Sequence, residues 1–236
     1  MTKHTLDDTT DHRTDRPRLQ QLLEGTGVPV ANLVDRRNSL PPAAQVLHRL
    51  TLRRLAATGI SPTGDELRQW AAEHGAEQTF ELAVLLRELR EAQLLFTRAN
   101  DTEVVGGIPF AAGTSAHRVT IDGGPEVFAN CAVDALGIAA MVGAEVTVTS
   151  TDPHTGAPVT VRSHVGTWAA EPATAVVFVG TAGDGPLTQS CCPVINFFTE
   201  PGHAGAYKAE HGLDGEIMRL EEAAALGAAV FGDALS

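Results

Sequence analysis

The sequence predicts an α+β protein: an N-terminal helical unit, then a mainly antiparallel sheet with flanking helices. Three observations carry this reading. Between residues 40 and 95, apolar residues recur at helical spacing. From residue 117 onward, short segments alternate apolar and polar as strands do. The charge divides near the same place. Residues 1–100 hold 13 Lys+Arg and 13 Asp+Glu, whereas residues 101–236 hold 4 and 16 and carry the whole net charge of −12.

Taken in order, residues 1–17 are polar and charged, and a disordered tail is expected. "RLQQLLEGTG" (18–27) is expected as a short helix. "LPPAAQVLHRLTLRRLAATG" reads as a helix opened by proline and closed at Gly59, with Val46, Leu47, Leu50 and Leu55 as its apolar stripe. "SPTGDELRQWAAEHG" has a Ser61 or Thr63 cap, early acidic residues and Gly75 at its end. "TFELAVLLRELREAQLL" places Leu82, Leu85, Leu86 and Leu89 on one side. "FTRANDTEVVGGIPF" reads as a hairpin around Asn100-Asp101. Three short helices followed by a hairpin form a winged-helix pattern, expected over residues 18–110.

The second unit is expected over residues 111–236. "VFANCAVDALGIAAMVG" (127–143) reads as an apolar helix fed by a turn at Gly123-Gly124-Pro125. "HRVTID", "EVTVTS" and "PVTVRSH" read as strands, with a turn at "TDPHTGAP". "TAVVFVG" reads as a more buried strand, "INFFTE" as another, and "LEEAAALGAAVFGDAL" as a closing amphipathic helix.

Composition excludes several classes. The three cysteines argue against a disulfide-stapled secreted fold. The first 18 residues show no apolar signal core, and no apolar run is long enough to span a bilayer. A soluble cytoplasmic protein with reduced thiols, and no membrane partner, is expected. A neutral first unit and an acidic second one argue against nucleic acid as a partner, because phosphate binding needs a basic surface. The winged-helix pattern therefore reads as a covering domain on a common small fold before it reads as a DNA reader.

Cys131 and Asp134 stand three residues apart on the apolar segment, which on a helix puts them on one face. A buried cysteine alone reads as a small hydrophobe. A carboxylate one step away shifts that reading, because an unpaired buried charge is costly. A helix N-terminus would favour the Cys131 thiolate, and Asp134 would oppose it. Cys191 and Cys192 are adjacent. Their Cα atoms stand ~3.8 Å apart, short of the roughly 4.4–6.8 Å of an unstrained bridge. One of the two is expected to face a pocket and the other to pack. There is no CxxC, HExxH, GxSxG or P-loop. Two separated thiols suit a soft, thiophilic metal, and the carboxylate could move a proton.

On these residues the chain resembles the organomercurial (alkylmercury) lyases. "NCAVDALGIAAMVG" resembles their "CALD" helix, and "EVTVTSTDPHTGAPVTV" their strand–TGxPV–strand. "SCCPVINFF" resembles their cysteine-x4-FF segment, and "LDGEIMRLEEAAALGAAVFG" their C-terminal helix. The resemblance covers roughly residues 40–232 in the family's order, with the winged-helix-like unit at the position of the family's N-terminal domain.

The resemblance implies that Cys131 is the first catalytic cysteine and Asp134 the catalytic aspartate. Counting back from Phe197-Phe198 without a gap makes Cys192 the second cysteine, with Cys191 the alternative. It implies protonolysis of a carbon–mercury bond, with Hg(II) left as product on Cys131 and Cys192 beside Asp134. It implies no resident cofactor, external small-molecule thiols for turnover, and mercuric reductase as a recipient of Hg(II). Two departures stand out. Asp152 replaces a structural cysteine, which is expected to cost stability. Asn130 replaces an aromatic residue, which is expected to reshape the pocket. The rival expectation is a thiol-based metal or redox sensor with a DNA-binding winged helix.

Overall fold

The computed structural model describes Glu24, Thr26, Val28 and residues 31–74, 79–98 and 103–236. The expected tail, most of the helix expected over 18–27, the Gly75 terminus and the Asn100-Asp101 turn lie outside the described residues. The architecture is α+β with antiparallel sheets.

Glu24 and Thr26 are helical, and after them the described residues form α1 (Ala31–Asn38), α2 (Pro42–Thr58), α3 (Gly64–Glu73) and α4 (Thr79–Glu91). Helix α1 was not expected from the sequence. Proline opens α2, and Gly59 closes it with φ 67°, accessible to a residue without Cβ. At α3 the capping box is formed. The Thr63 hydroxyl accepts the Glu66 N–H, and the Glu66 carboxylate accepts the Thr63 N–H at 2.8 Å. A hairpin of β1 (Leu95–Thr97) and β2 (Val104–Gly107) follows.

The remainder forms two antiparallel sheets. Strands β3 (His117–Ile121), β4 (Glu126–Ala129), β5 (Val146–Thr151), β6 (Pro158–His164) and β7 (Thr167–Glu171) are ordered β4-β3-β5-β6-β7. Strands β8 (Val176–Thr181), β9 (Asn196–Phe198) and β10 (Asp214–Arg219) are ordered β10-β8-β9. Helix α5 (Ala132–Val142), the short α6 (Leu187–Ser190), α7 (Pro201–His211) and α8 (Leu220–Phe231) complete the chain. The sequence reading missed β7, α7 and β10. "LDGEIMR" is the edge strand β10, and the closing helix begins at Leu220.

The apolar segment 127–143 is also divided. Val127–Ala129 belong to β4, and Asp122-Gly123-Gly124-Pro125 turns β3 into β4 instead of feeding a helix. Helix α5 starts at Ala132 and is buried along almost its whole length. It crosses α8 at two glycines. A Cβ on Gly137 would stand 3.0 Å from the Gly227 carbonyl oxygen, and one on Gly227 would stand 2.8 Å from that of Val133. The backbones touch there, so α5 is fixed in depth, and with it the two residues at its start.

Asp152, where a loss of stability was expected, is held by a network of donors. Its carboxylate is fully buried in the β5–β6 turn and accepts from the backbone of His154 (2.9 Å), Thr155 (3.2 Å) and Thr199 (3.0 Å), the Thr199 hydroxyl (2.8 Å) and His203 Nδ1 (3.1 Å). Burial pushes this acid up, but the donors, Thr199 first, outweigh burial and hold it near 2. The turn is thus tied to the segment after β9. Among the described residues, no helix is long and apolar enough to cross a membrane.

Candidate functional site

Strand β4 delivers the chain through Asn130 to Cys131, which is the N-cap of α5. The Cys131 backbone is extended (φ −151°, ψ 176°), and its Sγ accepts the Asp134 N–H at 3.4 Å. A helix leaves its first N–H groups without intrahelical partners, and an oxygen-bearing side chain usually takes one of them. Here a thiol does so. The i, i+3 spacing therefore brings Cys131 and Asp134 together, but through cap geometry; Cys131 lies just outside the helix, not within its first turns.

The other limb is the turn at α6. The Leu187 carbonyl accepts the N–H groups of both Cys191 (3.0 Å) and Cys192 (2.8 Å). The Gln93 side chain, from the end of the helical region, accepts the Leu187 N–H at 2.9 Å. Past Pro193, the Ile195 carbonyl accepts the Ala132 N–H at 3.0 Å. This last bond straps the segment after Cys192 to the start of α5.

The result is a cluster. One ligand atom from each of Cys131, Asp134 and Cys192 lies within 4.8 Å of the others, and all three residues are buried. No second group of this kind occurs among the described residues. Cys191 is also buried and lines the same cavity, but its Sγ lies 3.5 Å from the Ser190 hydroxyl and outside the cluster. All three cysteines are free.

The cavity measures about 20 Å³, roughly the room of one water. Val28, Leu33, Ile108, Val179, Leu187 and Leu226 form most of its apolar wall. Burial there raises the Asp134 carboxyl to about 7, against the Cys131 and Asn130 side chains that stabilise its charged form. Asp134 Oδ2 is buried without a hydrogen-bond partner. Burial, then the Cys192 side chain, then Asp134 push the Cys131 thiol well above its ordinary range. The thiolate-favouring effect expected of a helix start is outweighed, because desolvation penalises a charge more than one helix end stabilises it. As it stands, the Cys131 thiol holds its proton beside an acid poised near neutrality, in an apolar pocket.

Some contributors carried no sequence signal. Asn130 was noted only as a departure. Its N–H (3.2 Å) and its Nδ2 (3.1 Å) both donate to the Pro109 carbonyl, which leaves the amide beside the Asp134 carboxylate. Val28 and Leu33 come from a region with no motif. Gln93 reads as an ordinary helix-end residue, and only its φ of 59°, seen in the structure, marks it.

A family model described as alkylmercury lyase matches residues 110–232. Alkylmercury lyases from Bacillus cereus and Clostridium butyricum are each 30% identical over 127 residues, which is 52% of this chain and 56% of each relative. The chain thus spans little more than half the length of these relatives. A solved structure, described as the mercury-bound form of MerB2, superposes with a TM-score of 0.73 at 24% identity, covering 88% of this chain and 98% of that one. At that identity the likeness speaks for the fold.

Proposed function

The chain belongs to the alkylmercury lyase family, and on that premise we propose that it cleaves carbon–mercury bonds by protonolysis, with Cys131, Asp134 and Cys192 as its reacting groups. The observation that carries this reading is the meeting of two thiols and one acid held near pH 7 in a single apolar cavity. A redox pair needs no acid, and a structural metal site needs no bare carboxylate oxygen.

The substrate is an organomercury thiolate, R–Hg–SR′. Cys131 displaces the external thiolate, which leaves with the Cys131 proton as R′SH. Cys192 then binds mercury and gives its proton to Asp134. Sulfur ligation raises electron density on the Hg–C bond. Asp134 delivers the proton to carbon, the bond breaks, and RH departs. Hg(II) remains on the two thiolates. A carbon leaving group needs an acid placed close to it. The unpartnered Asp134 Oδ2 suits that task, and the apolar wall excludes competing water and receives the organic group.

Turnover on this reading needs small-molecule thiols to remove Hg(II), with mercuric reductase a suitable recipient, and no resident cofactor. Reduced thiols suit a cytoplasmic setting. Residues 18–110 form a winged-helix-like covering unit in front of the catalytic unit 111–236, through Val28 and Leu33 at the cavity. The rival sensor reading needs a basic face, and residues 1–100 balance 13 basic against 13 acidic groups. Micromolar, salt-dependent binding of the full chain to duplex DNA would favour the sensor. The direct test is headspace analysis of purified protein with methyl- or phenylmercury in excess thiol. Methane or benzene is the expected product, and release no faster than in buffer would sink the proposal.

A further inference from the structure

Three buried polar residues lie beside the site without lining its cavity. Alternate residues of β3 and β5 face the core, and two of those positions carry polar groups: His117 on β3 and Ser150 on β5. Burying a polar group is unfavourable unless it is hydrogen-bonded, and these are. The Ser150 hydroxyl lies 3.0 Å from His117 Nδ1. The Asn196 side chain also reaches the imidazole, and Phe197 packs edge-on with ring centroids 5.7 Å apart. Asn196 Nδ2 in turn donates to the Pro193 carbonyl at 3.0 Å. Burial lowers the His117 pKa to about 4, so the ring is neutral at physiological pH. A neutral ring has one acceptor and one donor. With Nδ2 given to the Pro193 carbonyl, Asn196 has only its amide oxygen to offer the ring, an acceptor that suits the tautomer protonated at Nε2 and leaves Nδ1 to accept from Ser150.

Pro193 follows Cys192 directly and has no N–H of its own. Its carbonyl is therefore the handle on the far side of Cys192, whose own N–H is held by the Leu187 carbonyl. We propose that Ser150, His117 and Asn196 are positioning residues for Cys192, a buried polar chain that fixes the Pro193 carbonyl and so sets the second thiol opposite Cys131 and Asp134. This rests on the reading of Cys192 as the second mercury ligand. The chain runs from the five-stranded sheet to β9 of the three-stranded one, so the sheets' relative placement is built into the distance between the two sulfurs. A misplacement of about 1 Å in such a site costs on the order of 10²-fold in rate.

The test uses full-length wild type, His117→Phe, His117→Gln and Asn196→Ala. It measures Hg(II) affinity by competition with a dithiol, kcat and KM for methylmercury in excess thiol, and the melting midpoint. His117→Phe keeps the bulk against Phe197 and removes both polar contacts, while glutamine can still donate to Asn196. At a temperature where every variant is folded, His117→Phe and Asn196→Ala are expected to hold Hg(II) at least tenfold more weakly and to lose kcat more than they change KM. His117→Gln should recover most of both. Wild-type affinity and kcat in folded His117→Phe and Asn196→Ala would overturn the proposal, as would glutamine performing no better than phenylalanine. If His117→Phe does not fold, Asn196→Ala carries the test, and unfolding of both would also count against it. A wild type that releases no hydrocarbon would defeat the lyase reading alone, since Hg(II) competition still reports on the polar chain.

Discussion

The N–H of Asp134 points at the sulfur of Cys131 across 3.4 Å. The residue proposed to supply the proton thus uses its own backbone to orient the residue proposed to bind the metal. Cap and chemistry share the same atoms, so the thiol cannot turn away from the carboxyl without leaving a buried N–H unpaired.

Replacing the sulfurs one at a time should give unequal results. Cys131→Ser and Cys192→Ser are expected to abolish hydrocarbon release, because a hydroxyl is a hard ligand of low acidity and a poor substitute for a thiolate on mercury. Cys191→Ser should keep most of the activity, since its sulfur lies outside the cluster. Gas evolution from phenylmercury by the three variants checks this. An inactive Cys191→Ser beside an active Cys192→Ser would reverse the assignment.

Asp134→Asn should separate holding mercury from breaking its bond to carbon. The amide nearly preserves shape, and its backbone N–H can still cap Cys131, so both thiols should retain Hg(II). General acid catalysis is lost, typically ~10²–10⁴-fold. Mercury titration and headspace analysis on one sample decide the matter. Hydrocarbon release near the wild-type rate would assign the proton to another group.

Acid should destabilise the fold through its buried histidines. Burial first, then Arg37 and Arg49, lower His48 to about 3, and burial lowers His117 to about 4. Neither His48 ring nitrogen has a hydrogen-bond partner. In the unfolded chain a histidine titrates near 6.5, so there the unfolded state binds the proton first. The stability these rings contribute is complete above about pH 6.5 and falls as pH drops toward 4 and then 3, by up to about 1.4 kcal/mol per pH unit for each. Asp152 adds a separate loss at lower pH, between the ordinary carboxylate range and about 2. Melting midpoints across pH 3–8 should therefore fall from about pH 6.5 downward, less steeply in His48→Leu. An identical slope in that variant would exclude His48 as a contributor.

Local grammar in the sequence was enough for much of the fold. The proline start and the Gly59 stop act on neighbouring residues and are formed as read, and of the two cap residues Ser61 and Thr63 it is Thr63 that caps, with Glu66 closing the box. The alternation in "EVTVTS" and "PVTVRSH" likewise gives β5 and β6. Segment 127–143 misled because Val127–Ala129 and most of α5 are apolar, so the strand runs into the helix with no polar face to mark the change. β10 was hidden by "DGEIMR", whose charged residues lie on an edge strand. The cluster itself follows from contacts such as Ala132 with Ile195, 63 positions apart in the chain and without a sequence pattern. His117 and Ser150 did leave a trace, as polar residues at inward positions of alternating strands.

The Asp152 turn bears on how a protein with the proposed activity would survive its own substrate. A soft metal attacks whatever sulfur it reaches, and a fold pinned by a thiol far from the reaction centre would be open to poisoning there. Here that turn is gathered by oxygen and nitrogen donors around a carboxylate, chemistry for which mercury has little appetite. All three cysteines of the chain lie against a single cavity. The thiol content of the molecule is thus concentrated where capture is useful, and the scaffold around it offers the metal no competing thiol.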